Sequence, residues 1–342
     1  MTTPVRNRYM QTPAPGAPFS LTEGDRSEPG IDQVRVTVEA CGVCHSDAMI
    51  VAGHVPGSVF PLITGHEIAG RIDAVGSGVT GWQVGDRVAV GWYGGSCGHC
   101  AACRTGDGVL CLEAQVPGLA YRGGFADSVV VPAVALAAIP DQLTASEAAP
   151  LACAGVTAYN ALRHSAARPG DTVAILGIGG LGHLGVQFAA KMGFETVAIS
   201  RGADKAVLAE QLGAAHYVDS GRQNVAQALQ ALGGAKVVLA TTTDGHAMGA
   251  AVDGLSRRGE LIVAGVSTDS LDLSAMQVFH QNRRVYGHAS GIAVDTQDTL
   301  RFAVQTGVRA WTEELPLEQA DTALAKLASG QARFRMVLTT GN

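Results

Sequence analysis

The sequence predicts an α/β protein in two parts, a small β-barrel and a doubly wound parallel sheet. Three observations carry this expectation. At 342 residues the chain is longer than one growing hydrophobic core usually serves, so two domains are expected. A short, wholly apolar run, Thr172-Val173-Ala174-Ile175-Leu176, leads at once into Gly177-Ile178-Gly179-Gly180-Leu181-Gly182 and then into a helical pattern from Leu184 to Met192. Strands buried on both faces read this way, and glycines between such a strand and a helix form a dinucleotide fingerprint. Upstream, short runs with period-two alternation are punctuated by glycine, the pattern of a small barrel.

Composition narrows the function. Hydrophobic residues at 47% and charged ones at 16% suit a globular protein with a large core rather than a disordered chain. With 24 basic against 30 acidic residues, net charge −6, no cationic surface for nucleic acid or anionic lipid is expected. Scattered charges and prolines in the first thirty residues, and no uncharged apolar run of about twenty, point to a soluble, cytoplasmic protein. Seven cysteines in such a chain read as metal ligands rather than a disulfide framework.

In chain order, Val34, Val36 and Val38 alternate with Arg35, Thr37 and Glu39, as in a half-buried strand. It delivers the chain to Cys41-Gly42-Val43-Cys44-His45-Ser46-Asp47. Gly65-His66-Glu67 follows an apolar run, and two further strands are expected over 68–76 and 84–90. A catalytic zinc takes three soft ligands and keeps one position open. Cys44 and His66 are candidates for two of them, although each alone reads as well as an inert core residue.

Cys97, Cys100, Cys103 and Cys111 then crowd a loop poor in apolar residues. Four thiolates close a tetrahedron around zinc with no open position, a structural site. An iron–sulfur cluster is the rival occupant, and a nucleic-acid-reading zinc ribbon lacks the cations it would need. A strand is expected over 125–131. Thr144-Ala145-Ser146-Glu147 has the pattern of a capping box, so a helix should start there and break or restart near Leu151, because Pro150 interrupts it. Cys153, close to that break, is the third candidate ligand, and a further helix is expected over 156–164.

Beyond the glycine loop, β and α patterns alternate: 196–200, 204–212, 216–219, 225–232, 236–241, 246–255, 260–265 and 283–288, the rhythm of a parallel doubly wound sheet. The second strand ends in Ser200-Arg201-Gly202, with Lys205 shortly after. An NAD site usually places an acid there; its absence, with a hydroxyl and a guanidinium suited to a 2′-phosphate, predicts a preference for NADP(H), NAD(H) remaining possible.

Taken together, Gly42-Val43-Cys44-His45-Ser46-Asp47, Gly65-His66-Glu67 and Pro150-Leu151-Ala152-Cys153-Ala154-Gly155-Val156-Thr157 resemble, in this order and over nearly the whole chain, the zinc-dependent medium-chain alcohol dehydrogenases. The resemblance implies a GroES-like catalytic domain over 1–155 and 289–342, with a structural zinc lobe at 94–112, and a Rossmann domain over 156–288. It implies a catalytic zinc on Cys44, His66 and Cys153, a structural zinc on the other four cysteines, and hydride exchange between an alcohol or aldehyde and the nicotinamide. Ser46 would take the substrate proton. The family often continues that relay with His three residues on, where this chain has Met49; His45, His54 or water are the candidate substitutes. Asp47 would orient His66 and Glu67 would lie beside the metal. His45 and Arg335 would face the cofactor pyrophosphate, Thr157 the nicotinamide, and Gly177, Gly179, Gly180, Leu181, Gly182, Thr241 and Val266 would complete the cofactor groove. Val55, Trp92 and Tyr93 would line the substrate pocket, with room for medium-length aliphatic or aromatic primary alcohols. A homodimer or homotetramer is expected. Alternatives are a polyol dehydrogenase of the same fold, whose relatives usually lack the third cysteine, and a non-catalytic nucleotide-binding or sensing protein.

Overall fold

The structure, a computed structural model, describes residues 6–342. It forms two compact units, one ending at Val156 and resuming at Gly291, the other Thr157–Ser290; the sequence places its divisions at 155/156 and 288/289.

In the first unit, the strand Gln33–Val43 is the spine. Val34, Val36 and Val38 are fully buried, as their period-two spacing predicts. One edge pairs antiparallel with Glu67–Val75; the other is shared by Ser128–Pro132 and Arg335–Thr339. Glu67–Val75 continues to Arg87–Val90 and then Ala137–Ala138, while Arg335–Thr339 pairs in parallel with Thr312–Pro316. Ile68, Ile72, Val88 and Phe125 fill the core between these strands.

Two expected strands begin late. The one expected from Val84 starts at Arg87 because Gly85, at φ +97°, turns the chain and Val84 stays exposed. The one expected from Phe125 starts at Ser128, since the Phe125 amide is spent on the Thr64 carbonyl at 3.0 Å in a loop contact. The chain's return after Ser290 supplies the helices Ala293–Thr306 and Ala320–Ala328 and the last two strands.

The second unit is a six-stranded sheet, parallel throughout, in the spatial order His216–Asp219, Glu195–Ser200, Thr172–Leu176, Ala235–Ala240, Leu255–Val263, Arg284–Gly287. Strand order reverses between Thr172–Leu176 and Ala235–Ala240, where open α/β sheets bind ligands at the carboxyl ends of their strands. Asn224 and Asp244 cap the helices Val225–Ala231 and Gly245–Ala251 by accepting from amides three residues on. Val197, Ile199, Leu229, Val238, Met248 and Leu261 form its core. Among the described residues no helix is long and apolar enough to cross a membrane.

Candidate active site

Cys44 ends the spine strand region and caps the helix His45–Val51. Its amide donates to Asp47 Oδ2 at 2.8 Å, so the carboxylate closes the first turn and pins the cysteine. The other oxygen, Oδ1, accepts from Thr64 Oγ1 at 2.6 Å and the Gly65 amide at 3.1 Å, and lies 3.2 Å from His66 Nδ1 without the alignment of a full hydrogen bond. Asp47, fully buried, thereby joins the turn that carries Cys44 to the one that carries His66. Gly65 stands at φ +104° with Phe125 and Cys41 within 3 Å of where a Cβ would be, so only glycine serves there.

Cys153 arrives by a different route. The capping box forms as expected, Thr144 Oγ1 accepting from the Glu147 amide and Glu147 Oε2 from the Thr144 amide. The helix Ala145–Pro150 does not stop at Pro150; it widens into a π turn, Leu151–Gly155. Such turns displace a residue from the regular helical face and recur at functional sites. Here the displaced stretch carries Cys153, whose Sγ lies 3.5 Å from His66 Nε2.

Cys44, His66, Glu67 and Cys153 place one ligand atom each within 4.8 Å of one another. With ordinary zinc bond lengths, the sulfur-to-nitrogen edge of a tetrahedron is about 3.6 Å, which the Cys153–His66 separation matches. The electrostatics fit a cation as well. Its hydrogen bond to Cys153 holds the Cys44 thiol well below its usual range, and the same bond pushes Cys153 well up: two thiols compete for one proton, a conflict a divalent ion removes. Burial opposes a charge on His66, but Asp47, with Cys44 beside it, outweighs burial and raises the imidazole.

Glu67 is pushed up to about 7 by burial, against the pull of Arg335, whose guanidinium donates to Glu67 Oε1. The second carboxylate oxygen is buried with no hydrogen-bond partner. A Cβ on Gly42 would fall 2.0 Å from that oxygen, so the carboxylate needs glycine opposite it.

The Arg335 side chain is buried, donating to Glu67 and, at 3.2 Å, to the Val43 carbonyl.

The Tyr93 hydroxyl pairs with Ser96 Oγ at 2.9 Å and its ring packs against Gly108. Trp92 lies edge-on to His66 with ring centroids 5.1 Å apart. Ser46 Oγ lies 3.8 Å from Cys44 Sγ. Val55 sits half-buried in a turn whose carbonyl accepts from Ser58 Oγ; Met49 is half-buried, and His45 and His54 are exposed. Thr64 and Gly42 are contributors the sequence reading missed.

In the four-cysteine loop, Sγ separations are 3.5 Å for Cys100–Cys103, 3.6 Å for Cys97–Cys111 and 3.9 Å for Cys97–Cys103. The edge of a zinc–thiolate tetrahedron is about 3.8 Å. The backbone is arranged for thiolates: Cys97 Sγ accepts from the Cys100 amide, and Cys111 Sγ from the Glu113 amide.

In the second unit, Gly177 stands at φ +101°, and a Cβ on Gly182 would meet the Gly177 carbonyl oxygen at 1.9 Å. Those two glycines serve the protein's own packing. Gly179 has open space where its side chain would be, so nothing in the chain demands glycine there; close approach of a phosphate would. Thr241 Oγ1 tethers the loop by donating toward the Leu176 and Gly177 carbonyls. Lys205 Nζ donates to Ser200 Oγ at 3.2 Å, Arg201 is exposed, and Val266 is exposed. Thr157 is buried in the helix Val156–Arg163, and Gly180 and Leu181 lead into the helix Gly182–Lys191.

Comparison with known proteins agrees with this geometry. The family profile described as alcohol dehydrogenase GroES-like domain matches residues 30–141, and the one described as zinc-binding dehydrogenase matches residues 180–305. The chain is 38% identical over 338 residues to the alcohol dehydrogenase patD of Penicillium expansum, covering 99% of each. Among solved structures it resembles a cinnamyl alcohol dehydrogenase of Sorghum bicolor, with TM-score 0.90, 29% identity and 98% of each chain covered. It also resembles the CAD of Helicobacter pylori complexed with NADP(H), with TM-score 0.88, 26% identity, and 98% and 99% covered.

Proposed function

Given that the chain belongs to the zinc-dependent medium-chain alcohol dehydrogenases, we propose that it interconverts alcohols and aldehydes with NADP(H), using Cys44, His66 and Cys153 as ligands of a catalytic zinc. The observation that carries this is the convergence of those three donors, from three distant stretches of chain, beside a buried carboxylate that orients the imidazole.

A zinc ion held there supplies Lewis acidity toward a hydroxyl or carbonyl oxygen, and the nicotinamide supplies hydride chemistry. The chain's own residues do the rest. Ser46, two residues beyond Cys44, accepts the substrate hydroxyl proton. Asp47 holds the His66 ring in one orientation, and Arg335 keeps the Glu67 charge compensated in the dry interior. Trp92 walls the ligand cluster with apolar surface.

Cys97, Cys100, Cys103 and Cys111 hold a second, structural zinc. Gly179 and its neighbours cradle the pyrophosphate, and Ser200, Arg201 and Lys205 offer a hydroxyl and two cations to a 2′-phosphate. Val55 and Trp92 leave room for medium-length aliphatic or aromatic primary alcohols. Seven free thiols suit a reducing cytoplasm, and the family resemblance supports a homodimer or homotetramer.

The test is a panel of such alcohols and aldehydes, measured with each cofactor. Turnover with higher kcat/KM for NADPH than for NADH is expected, and Ser200→Asp should move preference toward NADH. A clear NADH preference of the unaltered protein contradicts the cofactor reading; no turnover of any member with either cofactor, zinc being present, favours the sensing alternative.

A further inference from the structure

Beside the four-cysteine lobe lies a second, outward-facing set of metal donors. Cys97 Sγ, a ring nitrogen of His99 and a carboxylate oxygen of Glu113 lie within 4.8 Å of one another, and the histidine and glutamate are exposed. Backbone geometry holds the set in place. Gly98, at φ +75°, folds the chain so that His99 Nδ1 stands 2.8 Å from the Cys97 carbonyl oxygen. A carbonyl oxygen only accepts, so Nδ1 carries the hydrogen and Nε2 keeps the lone pair. Glu113 is anchored through its own amide, which donates to Cys111 Sγ at 3.3 Å.

Thiolate, imidazole and carboxylate are the three side-chain types that bind zinc, yet the inner tetrahedron is already completed by four sulfurs. A closed tetrahedron offers an incoming ion no open position. Exchange of its metal therefore needs a thiolate that can turn outward and something outside to meet the ion. Cys97 is the one residue common to both donor sets.

We propose that Cys97, His99 and Glu113 form an outer landing site for divalent transition-metal ions, through which zinc enters and leaves the four-cysteine lobe. On entry, a ring nitrogen of His99 and the Glu113 carboxylate bind the ion and the Cys97 thiolate joins them. Bonds from Cys100, Cys103 and Cys111 then form as the imidazole and carboxylate let go. Each cysteine that ligates releases its thiol proton to water, and no oxidation state changes. Departure is the reverse. The proposal rests on the reading of the lobe as a zinc site, and the catalytic assignment enters its test only as the two-sulfur control.

The experiment takes the zinc-loaded full-length protein, adds excess cadmium chloride and follows uptake by cadmium NMR, in which a four-sulfur site resonates apart from one with two sulfurs. In the double variant His99→Gln, Glu113→Gln the four-sulfur signal should grow about tenfold more slowly, as loss of a local charged funnel predicts, while the two-sulfur signal grows at the unaltered rate. Glu113→Lys, which adds a repelling charge at the same exposed position, should slow it further. Equal four-sulfur rates in all three proteins overturn the proposal. So does equal slowing of both signals, which marks a change in the whole protein, and so does loss of the four-sulfur signal at equilibrium in a variant, which makes the two residues structural. If the unaltered protein shows no four-sulfur signal, the lobe reading itself fails and takes the proposal with it.

Discussion

Asp47 Oδ1 stands 3.2 Å from His66 Nδ1, while the other oxygen of the same carboxylate holds the Cys44 amide at 2.8 Å. One buried side chain thus sets the position of two metal ligands that lie 22 residues apart in sequence (66 − 44). Asp47→Asn keeps the shape and a capping oxygen but loses the charge toward the imidazole. Metal affinity and kcat should fall about 10- to 100-fold, read as faster zinc loss to a chelator and a lower kcat, with the far-UV circular dichroism unchanged.

Gly179 and Gly182 should respond oppositely to alanine. At Gly182 the new Cβ meets the Gly177 carbonyl oxygen at 1.9 Å, whereas at Gly179 it meets nothing within 4 Å. Gly182→Ala should therefore lower the melting temperature. Gly179→Ala should leave it unchanged and weaken NADPH binding about tenfold or more, because the methyl group takes the space a phosphate needs. Calorimetry and fluorescence titration separate the two effects.

How far these features could be read from sequence follows from their range. Capping by Thr144 and Glu147, the period-two burial of Val34, Val36 and Val38, and the glycine loop after Leu176 are local patterns, set within a few residues, and each is found where the spacing predicts. The Glu67–Arg335 ion pair joins positions 268 apart, and no local pattern announces it. Tyr93 follows Trp92 directly, yet its hydroxyl turns to Ser96 while Trp92 meets His66. The two neighbours find different partners, and no local pattern says which of them meets His66. Pro150 signalled an interruption, but the helix widens over Leu151–Gly155 rather than ending, and the proline alone does not say which.

Asp219 accepts from the Gly202 amide at 2.9 Å and the Gly221 amide at 3.0 Å, tying down the loop after the second strand of the parallel sheet. The Gly202 and Gly221 amides lower its pKa from the ordinary 3.8. A carboxylate lowered in the folded state contributes stability above its unfolded pKa and loses it as pH falls through the folded one. Relative to Asp219→Asn, protection of the Gly202 and Gly221 amides against hydrogen exchange should be greater from neutral pH down to about pH 5, and the difference should close below about pH 4. A difference that does not vary with pH would assign the effect to shape rather than charge.

The central claim is that sulfur, nitrogen and sulfur from Cys44, His66 and Cys153 hold one of two zinc ions in each chain. The most direct measurement is zinc per chain by atomic emission, alongside alcohol oxidation, for the unaltered protein and Cys153→Ala. Two zinc ions falling to about one, with turnover abolished and the four-cysteine site still filled, is the predicted result. A Cys153→Ala protein that keeps both ions and turns over at the unaltered rate would contradict it.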